Sequence, residues 1–181
     1  LEVSSPSFTG NIADQSDSVT DVISLDVSSN WTESPNDYQV TSGVLPDGLS
    51  LSSSGVVSGT LTTGQTNSGI VITASNLAGG AVSNAFEWVV ISPDDVPDPF
   101  TFNPVTDVEP STADIESNTI TVSGVNIPSS ISIAGGEYAI NAGGGFGAFT
   151  SVPGTVNNTE QVKVRTDSSA SFSTMTSATL T

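Results

Sequence analysis

The chain of 181 residues carries 19 acidic side chains against two basic ones, which gives a formal net charge of −17. Nucleic acid and anionic lipid both repel such a surface, so neither nucleic-acid binding nor membrane insertion is expected. Because the chain has no histidine and no cysteine, the usual serine, cysteine and zinc active sites cannot be built, and we expect no enzyme activity.

The acidic side chains near the start of the chain fall among apolar residues. Asp14, Asp17, Asp21 and Asp26 are spaced through a segment that also contains Val19 and Leu25. This pattern predicts a solvated strand edge, where charge discourages pairing with stray chains.

Trp31 follows at the end of a predicted strand. A tryptophan in that position could be exposed, and an exposed ring is the usual platform for a sugar. Trp31 is therefore a candidate binding residue for a glycan.

The rest of the first half alternates apolar and polar residues with the period of two that indicates half-buried strands. Ile70, Ile72 and Ala74 share one predicted face, and Phe86, Trp88 and Val90 share another. Between them, residues 76–80 supply the glycines of a hairpin turn. Trp88 is therefore predicted to be a core residue.

A segment rich in proline and aspartate, residues 92–99, is predicted to be a stiff linker. It separates residues 1–91 from residues 100–181, and each part has the length of a β-sandwich. In the second part, alternation at Ile120 and Val122 and at Val162 and Val164 predicts further strands. The expected class is all-β, with two tandem sandwiches.

Several motifs of the first half occur together in one order. Leu45-Pro46-Asp47-Gly48-Leu49 is followed by Gly55-Val56-Val57-Ser58-Gly59-Thr60 and then by Ile72-Thr73-Ala74-Ser75-Asn76. Residues 6–91 thereby resemble the putative Ig domain family of bacterial surface proteins, which is related to cadherin-like and dystroglycan-type repeats. The resemblance implies an immunoglobulin-like sandwich in which these glycines shape turns.

Residues 100–181 are similar to a second immunoglobulin-like module, found in secreted proteins of aquatic bacteria. The similarity rests on segments such as Ser117–Val125, Gly136–Asn141 and Gln161–Arg165. In that module another strand follows Ala178-Thr179-Leu180, so the second sandwich is expected to lack its last strand here. An open edge would result, and residues 1–8 of another copy could fill it by strand complementation.

Calcium is the cofactor that the acidic residues could bind, because it accepts carboxylate and carbonyl oxygens at flexible geometry. Asp94, Asp95 and Asp98 are the candidate ligands, with Asp47 or Asp107 nearby. The alternative is that these carboxylates only keep the linker solvated. No calcium-binding loop motif is present in the sequence.

Lys163 and Arg165 are the only basic residues, and their spacing places both on one face of a predicted strand. They could anchor the carboxylates of a protein partner. They could equally pair with acidic side chains across their own sheet.

These features together predict a non-catalytic structural or adhesive module of an extracellular assembly, such as an adhesin, a filament or a virion surface. A glycan- or peptide-binding module is the alternative. Because the chain begins at Leu1, we expect a processed, secreted product that lies outside the cell or on a cell or virion surface.

Overall fold

The computed structural model describes residues 3–181, and the regular elements of these residues are almost all β-strands. Within them the one helical segment is a short 3-10 turn, Ser28–Asn30. None of these residues belongs to a helix of the length and apolarity that a bilayer crossing requires. The predicted all-β class is confirmed. The chain forms two compact units, which divide between Pro93 and Asp94.

The first unit contains eight strands among its described residues. They are β1 (Gln15–Ser18), β2 (Val22–Asp26), β3 (Asp37–Ser42), β4 (Leu49–Leu51), β5 (Val56–Thr60), β6 (Gln65–Asn76), β7 (Gly79–Val82) and β8 (Phe86–Ile91). One sheet has the order β1-β8-β6-β3, with β7 also paired to β6, and the other has the order β2-β5-β4.

Most pairs in the first unit are antiparallel, but β1 and β8 run parallel. Gln15 lies opposite Trp88, and Ser18 lies opposite Ile91. The first strand of the unit is thereby joined to the last one at the edge of the sheet. The predicted strand edge for the acidic segment is confirmed at β1.

The core of the first unit follows the period-two pattern of its long strands. Ile70, Ile72 and Ala74 on β6 are fully buried, and Trp88 on β8 is 1% exposed. Side chains at alternate positions of a strand point to the same face, so this spacing directs them into one core. The predicted core role of Trp88 is confirmed.

The segment that precedes β1 lies on its own unit. Phe8 forms an isolated bridge with Trp31 and packs on its ring, at 5.0 Å between centroids. The Ser5 hydroxyl donates to the carbonyl of Ala78, at 2.8 Å. Strand complementation by residues 1–8 would therefore have to break the contacts that Ser5 and Phe8 make within their own unit. Leu1 and Glu2 lie outside the described residues.

The second unit contains shorter strands. They are β9 (Ile115–Glu116), β10 (Ile120–Thr121), β11 (Ser129–Ile131), β12 (Ile133–Ala134), β13 (Glu137–Asn141), β14 (Gly154–Val156), β15 (Gln161–Thr166) and β16 (Thr179–Leu180). β15 is central in a four-stranded sheet, with β13 on one side and β9 and β10 on the other, while β11 pairs with β14 and β12 pairs with β16.

One hydrophobic core unites the sheets of the second unit. Val162 and Val164 on β15 pack with Ile120 on β10, Ile131 on β11 and Val156 on β14. The last strand, β16, pairs with β12, and next to this pair Thr181 and Ser132 exchange two backbone hydrogen bonds of 2.8 and 2.9 Å.

Candidate functional site

Trp31 is buried, and the expectation that its ring lies exposed is wrong. Its relative exposure is 6%. The ring packs between Phe8 and Tyr38 at edge-to-face geometry, with centroids 5.0 and 5.5 Å away. Its indole N–H donates to the carbonyl of Ala81, at 3.2 Å. Trp31 therefore serves the core of the first unit.

An open cleft of about 590 Å³ lies beside these aromatic rings. Its polar lining includes Glu33, Asn36 and several serine hydroxyls. Tyr38, which also lines it, is only 5% exposed. Burial raises the pKa of Tyr38, and the negative charge of Asp26 acts in the same direction. The cleft thus offers polar groups to a ligand but no open ring face for stacking on a sugar.

Lys163 and Arg165 lie on the same face of β15, and both are ion-paired within their own unit. The Lys163 ammonium lies 2.6 Å from Glu116 on the neighbouring segment. The Arg165 guanidinium donates to Glu137 through Nε and Nη2, at 2.8 and 2.6 Å, and Nη1 lies 2.9 Å from Asp114. The hydrogen bonds that Arg165 donates to Glu137 raise the pKa of Arg165 above its usual value.

Two aromatic rings cover this pair of cations. Lys163 Nζ lies 4.7 Å from the centre of the Phe146 ring, and the Arg165 guanidinium lies 4.2 Å from that of Phe149. Cations are attracted to ring faces at such distances. The loop between β13 and β14, whose tip holds three consecutive glycines, is thereby held against the sheet. Neither ring is among the candidate residues that the sequence pattern indicated.

The candidate calcium ligands have polar partners inside the second unit. The Asp94 carboxylate accepts the backbone N–H of Val96 at 3.0 Å, and the Asp98 carboxylate accepts the Ser123 hydroxyl at 2.9 Å. The carbonyl of Asp94 accepts the backbone N–H of Asn126 at 2.9 Å. Among residues 3–181, no three acidic side chains come together in a way that could hold a metal ion.

The acidic residues of the first segment act as acceptors for specific N–H groups. Asp17 accepts the indole N–H of Trp88 at 2.8 Å, which satisfies the polar atom of a buried ring. Asp14 accepts the backbone N–H of Glu87 at 2.7 Å. Both carboxylates link the beginning of the first unit to its last strand.

Further bonds extend this connection along the two segments. The Asn84 side chain accepts the backbone N–H of Ile12 at 2.9 Å and donates to its carbonyl at 2.8 Å. At the other end, the backbone N–H of Val19 donates to the carbonyl of Ile91 at 3.0 Å. We call residues 12–19 and 84–91 together the terminal clamp. The sequence gives no sign of it, because β1 has no apolar residue and its partner is some 70 positions away.

Solved structures that match the chain include an I-band fragment of titin, at 11% identity and a TM-score of 0.41, with coverage of 99% of this chain and 65% of that chain. Domains 1–4 of protocadherin gamma B7 match at 13% identity and a TM-score of 0.39, over 90% of this chain and 41% of that chain. A structure described as a putative alpha-galactosidase from Bacteroides fragilis matches at 19% identity and a TM-score of 0.39, over 50% of this chain and 19% of that chain.

The sequence of the first unit matches a known family. The model described as "Putative Ig domain" matches residues 5–91, a range that includes the terminal clamp and both sheets of the unit. No curated protein matches the chain. Residues 5–91 of this protein belong to the "Putative Ig domain" family.

Proposed function

We propose that this protein is a non-catalytic extracellular module that carries tension, as a spacer or subunit of a surface assembly such as an adhesin, a filament or a virion surface. The single observation that supports the proposal most is the parallel pairing of β1 with β8 in the terminal clamp. Membership of an immunoglobulin-like family is consistent with this role.

The direction of the two strands determines how a pulling force acts on the clamp. In a parallel pair, the beginning of one strand and the end of the other lie at opposite ends of the ladder. The chain enters β1 at Gln15 and leaves β8 at Ile91, so tension between these points slides one strand along the other. All the hydrogen bonds between the strands are then stressed together, and they must break nearly simultaneously.

Side chains strengthen the clamp against that motion. The bonds that Glu87 donates to Asp14 and Trp88 donates to Asp17 cross between the two segments. The Asn84 side chain forms two further bonds with the backbone of Ile12. Hydrogen bonds to a charged acceptor are stronger than neutral ones. Trp88 is 1% exposed, so water competes poorly for its N–H.

The test is single-molecule force spectroscopy with two attachment geometries. Because the chain has no cysteine, two introduced cysteines define the pulling points uniquely. Ala13→Cys with Pro93→Cys pulls the clamp lengthwise. Thr20→Cys with Pro93→Cys applies force at the same end of β1 and β8, so the two strands separate one hydrogen bond at a time.

We expect the lengthwise geometry to rupture at a force several-fold higher than the peeling geometry. Asp17→Ala should lower the lengthwise force and leave the peeling force nearly unchanged, because peeling never stresses all bonds at once. Equal rupture forces in the two geometries would overturn the proposal.

A further inference from the structure

The second unit contains a groove of about 620 Å³ that the proposed mechanical role does not use. One wall is formed by residues 102–110 and the other by residues 168–178. Ile115 and Val164, on the neighbouring strands β9 and β15, line it between these walls. We call this feature the apolar groove.

Large apolar side chains stand exposed along the groove. Val105 is 52% exposed on one wall, and Phe172 and Met175 are 78% and 95% exposed on the other. Single exposed apolar residues are ordinary, but several around one groove indicate a surface that another chain covers.

Both walls also offer backbone groups. Residues 104–108 and 175–177 lie outside every strand of the described chain, and their backbone groups take part in no hydrogen bond there, whereas the backbone N–H of Asn103 donates to the Asn118 side chain at 2.7 Å. A segment with unpaired N–H and C=O groups can accept an extended peptide as an added strand. The groove therefore combines apolar contacts with backbone pairing.

The charge around the groove selects the occupant. Asp107 lines it, and the one cation in its lining, Arg165, is already paired with Glu137 and Asp114. A second copy of the chain would bring another net charge of −17 towards a groove whose only cation is already paired. Complementary charge instead favours a segment with basic residues.

We propose that the apolar groove binds an extended segment of another protein, in which apolar residues alternate with lysine or arginine. Apolar side chains at every second position enter the groove, and the basic ones between them face Asp107 and the carboxylates that surround Arg165. The terminal clamp lies within the first unit and the apolar groove within the second, so binding in the groove does not depend on the clamp.

The probe is a synthetic heptapeptide, Lys-Val-Lys-Val-Thr-Val-Lys with blocked ends, and its matched control has glutamate in place of each lysine. Binding to the full chain is measured by isothermal titration calorimetry at low and high salt. We expect the lysine peptide to bind at least about tenfold more tightly than the glutamate peptide, with an affinity that falls as salt rises.

The double variant Val105→Ser and Phe172→Ser should weaken binding of the lysine peptide at least about tenfold. Its circular dichroism spectrum should be unchanged, because both side chains are exposed in the folded protein. Val152→Ser is the control, since this valine is 67% exposed and lies outside the groove lining. It should leave binding unchanged.

Failure of the lysine peptide to bind, or equal binding of both peptides, would overturn the proposal. Sedimentation of the chain alone tests whether a second copy of the chain occupies the groove instead. Self-association that the double variant abolishes would assign the groove to a second copy and would also overturn the proposal. None of these outcomes bears on rupture of the terminal clamp, so the two ideas can fail separately.

Discussion

Asn67 occupies an unusual position for an amide side chain. It is 8% exposed, it lies opposite Trp88 on the inner face of the sheet, and its Oδ1 has no hydrogen-bond partner. Gln65, two positions earlier on β6, has a buried Nε2 without a partner. An unpaired buried polar atom costs free energy that a side chain of similar size and no polar atom would not.

We therefore expect Asn67→Leu to raise the free energy of unfolding by about 1 kcal/mol. The measurement is a urea titration followed by tryptophan fluorescence. Asn84→Leu is the matched control, because the Asn84 amide makes hydrogen bonds to Ile12, and this change should lower stability. A destabilised Asn67→Leu variant would show that the amide is satisfied by something besides the chain.

Asp26 illustrates how a turn sets the titration of a surface carboxylate. The hydroxyl and the backbone N–H of Ser28 both donate to it, and these bonds lower the pKa of Asp26 below its usual value. Because the folded pKa is depressed, the stability that Asp26 contributes is present above the unfolded pKa of about 3.9 and is lost as pH falls through the lower folded pKa.

Carboxyl NMR titration should therefore place the Asp26 midpoint below that of an unstructured aspartate. Ser28→Ala should raise it part of the way, since the backbone N–H still donates. Asp26→Asn should also lower the pKa of Tyr38, which the charge of Asp26 raises. An Asp26 midpoint unaffected by Ser28→Ala would contradict this account.

At the scale of elements, two glycines control how β4 and β5 pair. Gly59 has φ +144°, and a Cβ on it would collide with the carbonyl oxygen of Gly48. The same applies to Gly48, because a Cβ on it would collide with the carbonyl oxygen of Thr60. The close approach of the two segments thus needs glycine at both positions.

Gly59→Ala should destabilise the protein by about 2 to 4 kcal/mol, from backbone strain together with displacement of the neighbouring segment. Gly69→Ala separates the two causes. Gly69 also has positive φ, +68°, but its Cβ would meet no atom within 4 Å, so about 1 kcal/mol is expected. Chemical denaturation measures the free energy of unfolding of both variants. Similar losses of stability would mean that the neighbouring segment moves and relieves the collision at Gly59.

The sequence predicts those elements whose pattern is local. Alternation along β6 and β8 identified Ile70, Ile72 and Trp88 as core residues, and the turn after Asn76 was found where β6 ends and β7 begins. Such patterns follow from the geometry of a single strand.

Features that depend on distant segments could not be predicted in the same way. Trp31 is buried because Phe8 and Tyr38 pack on it, and neither neighbour is implied by the residues around Trp31. The aromatic cover on Lys163 and Arg165 likewise arrives from an irregular loop. From the sequence, one alternative was that these cations pair with acidic side chains of their own sheet. The structure contains three ion pairs between them and acidic side chains of the same unit.

For the whole molecule, the excess of acidic side chains is the dominant electrostatic feature. A net charge of −17 on 181 residues makes the folded chain repel itself, since folding brings like charges closer together. Lys163 and Arg165 neutralise acidic groups only within the second unit. Counterions must supply the remaining compensation.

We therefore expect the melting temperature to rise as sodium chloride increases from about 0.1 M to about 1 M, where the screening length falls from about 10 Å to about 3 Å. Calcium at about 1 mM, compared at equal ionic strength, should add nothing further, because no three acidic side chains converge among residues 3–181. Asp95→Asn with Asp98→Asn is the matched variant. A calcium-specific rise in melting temperature that this double change removes would establish the metal site that the sequence allowed. A melting temperature that does not change with salt would show that self-repulsion does not limit stability.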